Sequence, residues 1–261
     1  MKVPKILFPS AHAADYYDNL IDLIDQMHEM TTKFYESKVV PIAKRNDSYK
    51  SDESIEEINR SLDELSTKFS VLFKESVSKR LAQNFVTRVK QHGVNEVGKQ
   101  VKAVIGFDPL KRSPKLASIV KAGVSENVAL IKSIPQEYHK RLNTIVLQGI
   151  RSGESTSYLE DKIKNLYDVT DNRAKLIARD QAGSLLGDVT KARHEDLGLK
   201  KFIWRSSDDD RVRQRHRNFD DNEYTWESGA GSGVYPGKPI RCRCTAEVVA
   251  EELNELWGEA A

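Results

Sequence analysis

Apolar residues recur at three- and four-residue intervals along most of the chain, the spacing that lets a helix bury one face. From residue 13 the stripe runs Tyr17, Leu20, Ile21, Ile24, Met27, Met30 and Phe34, until Pro41 interrupts it. A second stripe, with Ile58, Leu62, Leu65, Phe69, Phe73, Val77, Leu81 and Phe85, predicts one long helix over residues 54–91. Such a length belongs to bundle arms and helical hairpins. Ser54 with Glu57 behind it fits a capping box at the start. The polar run before it reads as a linker, and residues 1–12, with Pro4 and Pro9, as an extended arm.

Gly93 and Gly98 are expected to loosen the next stretch, which ends in the turn signature of residues 106–109. Two helical segments are predicted around Pro135. A short helix to Tyr167 follows, then a longer one capped by Thr170 and stopped by Gly198. At Lys200 the period shortens. Residues 200–205 predict a strand, residues 208–211 a turn and helix start, and residues 240–249 a second strand. The expected fold is mainly α with a small C-terminal α+β domain and an elongated helical N-terminal part. It divides into a helical region 1–115, further helices over 116–199, and an α+β unit 200–261 with an acidic tail.

Composition sharpens this picture. Hydrophobic residues at 39% suffice for a core, while charged residues at 31% predict much solvated surface. A net charge of +2 excludes a global polycation. Between Lys68 and Lys121, however, twelve Lys and Arg face only Glu75, Glu96 and Asp108. One reading is a strip for DNA phosphates, with Lys79, Arg80, Arg88 and Lys90 as contacts. The other is a solvated helix face, since aromatics for base stacking are not interleaved there. The two cysteines, Cys242 and Cys244, are too close together to staple a fold, which points to a reducing, intracellular setting. Neither a signal peptide nor a membrane span is expected.

Residue-level chemistry concentrates in residues 204–244. On a strand, R-C-R-C puts Cys242 and Cys244 on one face and Arg241 and Arg243 on the other. The two thiolates could form half of a tetrahedral zinc site, with His216 and an aspartate as the rest. They could equally pack as small hydrophobes. Asp210 with His216 is a conceivable centre for a metal-dependent hydrolase, but no nucleophile motif accompanies it. Aspartates 208–210 beside Arg211, Arg213, Arg215 and Arg217 more simply predict an ion-pair and hydrogen-bond network that fixes how the 200–220 segment, Trp204 included, sits on the C-terminal strand. In the preceding helix, Arg179, Asp180 and Gln181 are the polar atoms on offer.

Three blocks in order carry a resemblance: R-A-K-L-I-A-R-D-Q (173–181), G-L-K-K-F-I-W-R-S-S-D-D-D-R-V-R-Q-R-H (198–216) and P-G-K-P-I-R-C-R-C (236–244). Together they resemble the Mu-F-like minor head proteins of tailed phages, over residues 120–251. The resemblance implies a non-enzymatic, low-copy head morphogenesis protein. It would lie inside the capsid of the virion, and in the host cytoplasm during assembly. Its implied partner is the portal protein, with capsid or scaffolding protein and packaged double-stranded DNA as further candidates. Its implied role is head assembly with DNA packaging or ejection. No cofactor is implied beyond the zinc that the cysteines themselves suggest. One departure stands out: the family's H-x-x-L-D-G is here H-R-N-F-D-D (216–221), so a different local backbone is expected at Asp221.

Overall fold

A computed structural model of the chain describes residues 3–44, 52–110, 113–231 and 233–258. It is mainly helical, with one small antiparallel sheet near the C-terminus, as the periodicities predict. In chain order the elements are α1 (Ser10–Phe34), a π-helical turn (Tyr35–Val39), α2 (Val40–Ala43), α3 (Asp52–Leu72), α4 (Glu75–Ile105), α5 (Leu116–Ser152) and α6 (Thr156–Asp196). Then follow β1 (Lys201–Arg205), α7 (Gln214–Arg217), β2 (Glu223–Thr225), β3 (Thr245–Glu247) and α8 (Ala250–Trp257). No helix among the described residues is long and apolar enough to cross a membrane.

The chain clusters into two compact units, one comprising Met1–Asp15, Ala82–Glu126 and Ala178–Ala261, the other Tyr16–Leu81 and Asn127–Ile177. Each collects segments distant in sequence, which a division at residues 115 and 199 does not express. In the second unit, Leu20, Ile24, Met27, Ile58, Leu62 and Phe69 form a core with Ile131, Ile134, Tyr138, Leu142 and Val146. Polar groups stitch it together. The Tyr17 hydroxyl donates to Asp171 and the Tyr167 hydroxyl to Asp25, each at 2.6 Å.

Several expected boundaries move. The helix expected over 54–91 is broken at Phe73 and Lys74, where Ser78 Oγ donates to the Phe73 carbonyl, and α4 restarts with Glu75 at its positive end. α3 begins at Asp52, ahead of Ser54, so Ser54 is not its first residue; most of the expected linker lies outside the described residues. Pro41 does not end the first helical stretch. The wider π turn, in which the Val40 amide donates to the Tyr35 carbonyl, carries the chain across it. Pro135 lies inside an unbroken α5, because its flanking residues Ile131, Ile134 and Tyr138 are all held in the core. Thr170 caps nothing. It lies within α6 and its buried hydroxyl donates back to the Leu166 carbonyl at 2.8 Å.

The first unit holds the sheet, ordered β2-β1-β3, with Trp204 opposite Ala246 and Phe202 opposite Tyr224. β3 covers only Thr245–Glu247 of the strand expected over 240–249, since Arg241 at φ 59° turns the preceding chain out of extended conformation. The helix expected from the aspartates starts later, at Gln214; Asp208 sits at φ 51° instead. The arm expected over residues 1–12 gives way to α1 at Ser10, and residues 3–9, outside helix and strand, are packed: buried Gln100 donates to the Pro4 carbonyl at 2.8 Å, and Glu96 accepts the Leu7 amide at 2.9 Å. Gly93 does not loosen α4. A Cβ there would lie 2.7 Å from Val189 Cγ1, so the glycine permits close helix packing.

Candidate functional site

The 204–244 segment and the residues flanking it fold around a small core of Phe202, Trp204, Trp226, Ala230, Cys242, Cys244 and Ala246, with Phe219, Tyr224, Val234 and Tyr235 against it. β1 delivers Phe202 and Trp204 to one face because alternate residues of a strand share a side. The Trp204 ring meets His216 and Phe219 edge-on, with centroids 5.3 and 5.1 Å away. α7 is a single turn that holds His216 buried among its exposed arginines.

His216, Cys242 and Cys244 come together. Both sulfurs lie 3.6 Å from His216 Nδ1, and the three ligand atoms fall within 4.8 Å of one another. The cysteines are adjacent through a turn and not through strand alternation, and no aspartate joins the group among the described residues. Burial, with Arg213 and Arg215 nearby, lowers the His216 pKa and keeps the ring neutral. The two thiols titrate as a pair. Hydrogen bonding from Cys244 draws Cys242 down to about 7, and that same bond with burial pushes Cys244 upward.

Around this core runs a shell of fixed charges. Arg205 makes a bidentate pair with buried Glu247, at 2.8 and 2.6 Å, and also meets Asp221. Arg243 pairs with Asp209, and Asp208 with Lys5. Exposed Arg213 donates to the Ile240 carbonyl at 2.6 Å, tying the segment before α7 to the turn before the cysteines. Asp220 accepts the Ser206 amide at 2.7 Å. Asp210 and Arg211 are exposed, and no hydrogen bond joins Asp210 to buried His216 among the described residues, so the two do not form a dyad.

α6 supplies the other wall. Asp180 accepts the Arg241 amide at 2.6 Å and Gln181 donates to Glu126 at 2.9 Å, while Arg179 is exposed. Of the basic candidates, Arg88 is held by Asp15 at 2.9 Å, and Lys99 and Lys115 pair with Glu96 and Glu195. The cation count along residues 68–121 therefore overstates the free charge there. Lys79 and Arg80 are exposed in one unit, and Arg88 and Lys90 belong to the other.

Sequence reasoning missed Gly183 and Gly187. A Cβ at Gly187 would lie 2.6 Å from the Pro236 carbonyl oxygen, and one at Gly183 would lie 2.8 Å from that of Cys242. Spaced four apart they share one helix face, and their lack of side chains lets the 236–242 turn rest on α6 backbone. That spacing was the available signal. Also missed was Arg193, fully buried in α6, which donates to Asp108 at 2.7 Å. Beside it, buried His194 accepts the Trp226 indole N–H at 3.3 Å, and burial depresses its pKa to about 3.

Comparison with known proteins agrees with the motif reading. Residues 140–247 match the family profile described as Phage Mu protein F like protein, the family that the three sequence blocks resemble. A protein of Haemophilus influenzae, described as an uncharacterized protein, is 32% identical over 186 residues. The match covers 70% of this chain but 42% of that protein, so the chain spans less than half the length of this relative. No solved structure matches.

Proposed function

From the premise that residues 140–247 form a phage Mu protein F-like region, we propose that the chain is a phage head morphogenesis protein. In this reading it is a minor, low-copy component inside the capsid, associated with the portal and assisting head assembly with genome packaging or ejection. The observation that carries the proposal is the family match, spanning all three sequence blocks with their W-R-S-S-D and C-R-C residues in place.

The site's chemistry supports an assembly role over a catalytic one. His216 is buried against two sulfurs, while Asp208 and Asp209 are engaged with Lys5 and Arg243 and Asp210 is exposed. The neighbouring depression, lined by Ser206, Asp208, Asp209, Asp210, Val212, Arg217 and Asp220, does not include the histidine or either cysteine. The two thiols within reach of His216 are themselves buried, and neither they nor the imidazole opens on that depression, whereas a general base must reach the proton it abstracts from substrate.

Affinity purification of portal protein from infected cells or purified proheads tests the reading. The expected result is co-purification of this chain in amounts well below those of the major capsid protein. Recovery of portal free of this chain, from particles that contain both, would overturn the portal assignment.

A further inference from the structure

Two sulfurs at equal distance from one imidazole nitrogen are more than hydrogen bonding explains. A neutral histidine offers at Nδ1 either one N–H or one in-plane lone pair. It can serve one thiol at a time, yet both Cys242 Sγ and Cys244 Sγ stand 3.6 Å from it. A cation between the three atoms would engage all of them at once. With zinc–sulfur bonds of about 2.3 Å and zinc–nitrogen bonds of about 2.05 Å at the tetrahedral angle, nitrogen and sulfur come to stand about 3.6 Å apart.

The surroundings fit charged sulfur. The Trp204 indole N–H is fully buried and has no hydrogen-bond partner of ordinary geometry among the described residues. Its ring packs edge-on against His216, with centroids 5.3 Å apart. An unspent buried N–H beside the cluster is the kind of outer partner that metal-bound thiolates use. The acidic residues drop out of the ligand set: Asp208 and Asp209 are committed to Lys5 and Arg243, and Asp210 points to solvent exposure.

We propose that Cys242 Sγ, Cys244 Sγ and His216 Nδ1 bind one thiophilic divalent cation of the zinc class, with the fourth position taken by water. Binding forms two metal–sulfur bonds and one metal–nitrogen bond, and releases the two thiol protons to solvent. The resulting dithiolate unit is electrically neutral, which suits a buried place. Its role is to fasten α7 to the 236–244 turn, adding to exposed polar contacts such as that of Arg213 with Ile240. The proposal stands independently of the portal assignment.

The test uses the untagged full-length chain, purified without chelator. Elemental analysis is expected to return one zinc per chain. After demetallation, cobalt(II) titration is expected to give thiolate-to-metal charge-transfer bands and tetrahedral d–d bands that saturate at one equivalent. Cys242→Ser and Cys244→Ser should each lose the charge-transfer intensity and the stoichiometric binding, whereas His216→Cys, which keeps a soft donor, should retain both. If the serine variants do not fold, thiol alkylation of the parent decides: zinc should protect both cysteines and chelator should expose them. Absence of metal and of cobalt bands in the parent, with alkylation indifferent to zinc, would overturn the proposal. So would cobalt spectra unchanged by the serine substitutions.

Discussion

Asp221 holds its backbone at φ 60°, in the region that glycine occupies without steric cost. In the family pattern that the sequence resembles, glycine stands at this position; in this chain the aspartate bears the strain. Its ion pair with Arg205 offsets little, because the Asp221 side chain is 76% exposed. Asp221→Gly should leave the denaturation midpoint equal or higher, whereas Asp221→Val should cost about 1–2 kcal/mol. A glycine variant less stable than the valine one would contradict this. His194 makes a second residue-scale prediction. Buried and neutral, with a pKa near 3, it gains a proton only on unfolding as the pH falls below 6.5. Its contribution is complete above that value and is lost as pH falls toward 3. Between pH 7 and pH 5 urea denaturation should show a loss of about 2 kcal/mol from this group, absent in His194→Asn. At this scale Trp204, His216 and the cysteines were legible because their chemistry is rare in the chain. Arg193 and His194 were not, since a charged residue buried inside a helical run leaves no local mark.

Among the elements, periodicity located nearly every helix but not its ends. Thr170 and Pro135 look like punctuation in sequence, yet both lie inside continuous helices whose apolar neighbours are buried. Tertiary packing outweighs the local signal at such positions. The strand expected over 240–249 shrank for the complementary reason. Its first half is shaped by docking, with Asp180 capturing the Arg241 amide and the α6 glycines receiving Pro236 and Cys242. Alternation of R-C-R-C suggested the right meeting of sulfurs through the wrong geometry. The glycine seat gives an element-scale test. Gly187→Ala raises helix propensity by about 1 kcal/mol, but its methyl would meet a backbone oxygen that cannot rotate away. Overpacking should win, with a net loss of about 1–3 kcal/mol by thermal or chemical denaturation. A stabilised Gly187→Ala protein would show that α6 and the turn are not in such close register. Across the sheet, Glu247→Ala leaves the Arg205 guanidinium short of its bidentate partner in a half-buried place. A loss of about 3 kcal/mol is expected, reduced in Arg205→Ala/Glu247→Ala to less than the sum of the single losses.

For the molecule as a whole, fold class and the Mu F-like resemblance were legible, while the grouping into compact units was not. Each compact unit draws on segments far apart in the chain, and local sequence carries no label for such pairings. The candidate site was legible in its residue types and not in its seat. Glycines 183 and 187, Arg193 and Asp220 all act by what they allow to approach or hold in place. The proposed assembly role rests on the Mu F-like match over residues 140–247. Quantitative mass spectrometry of purified proheads and mature particles measures that most directly. The expected result is this chain present at a few copies per portal in proheads, with its level unchanged by nuclease treatment. Its absence from both proheads and virions, in cells where the chain is expressed, would contradict the assembly role.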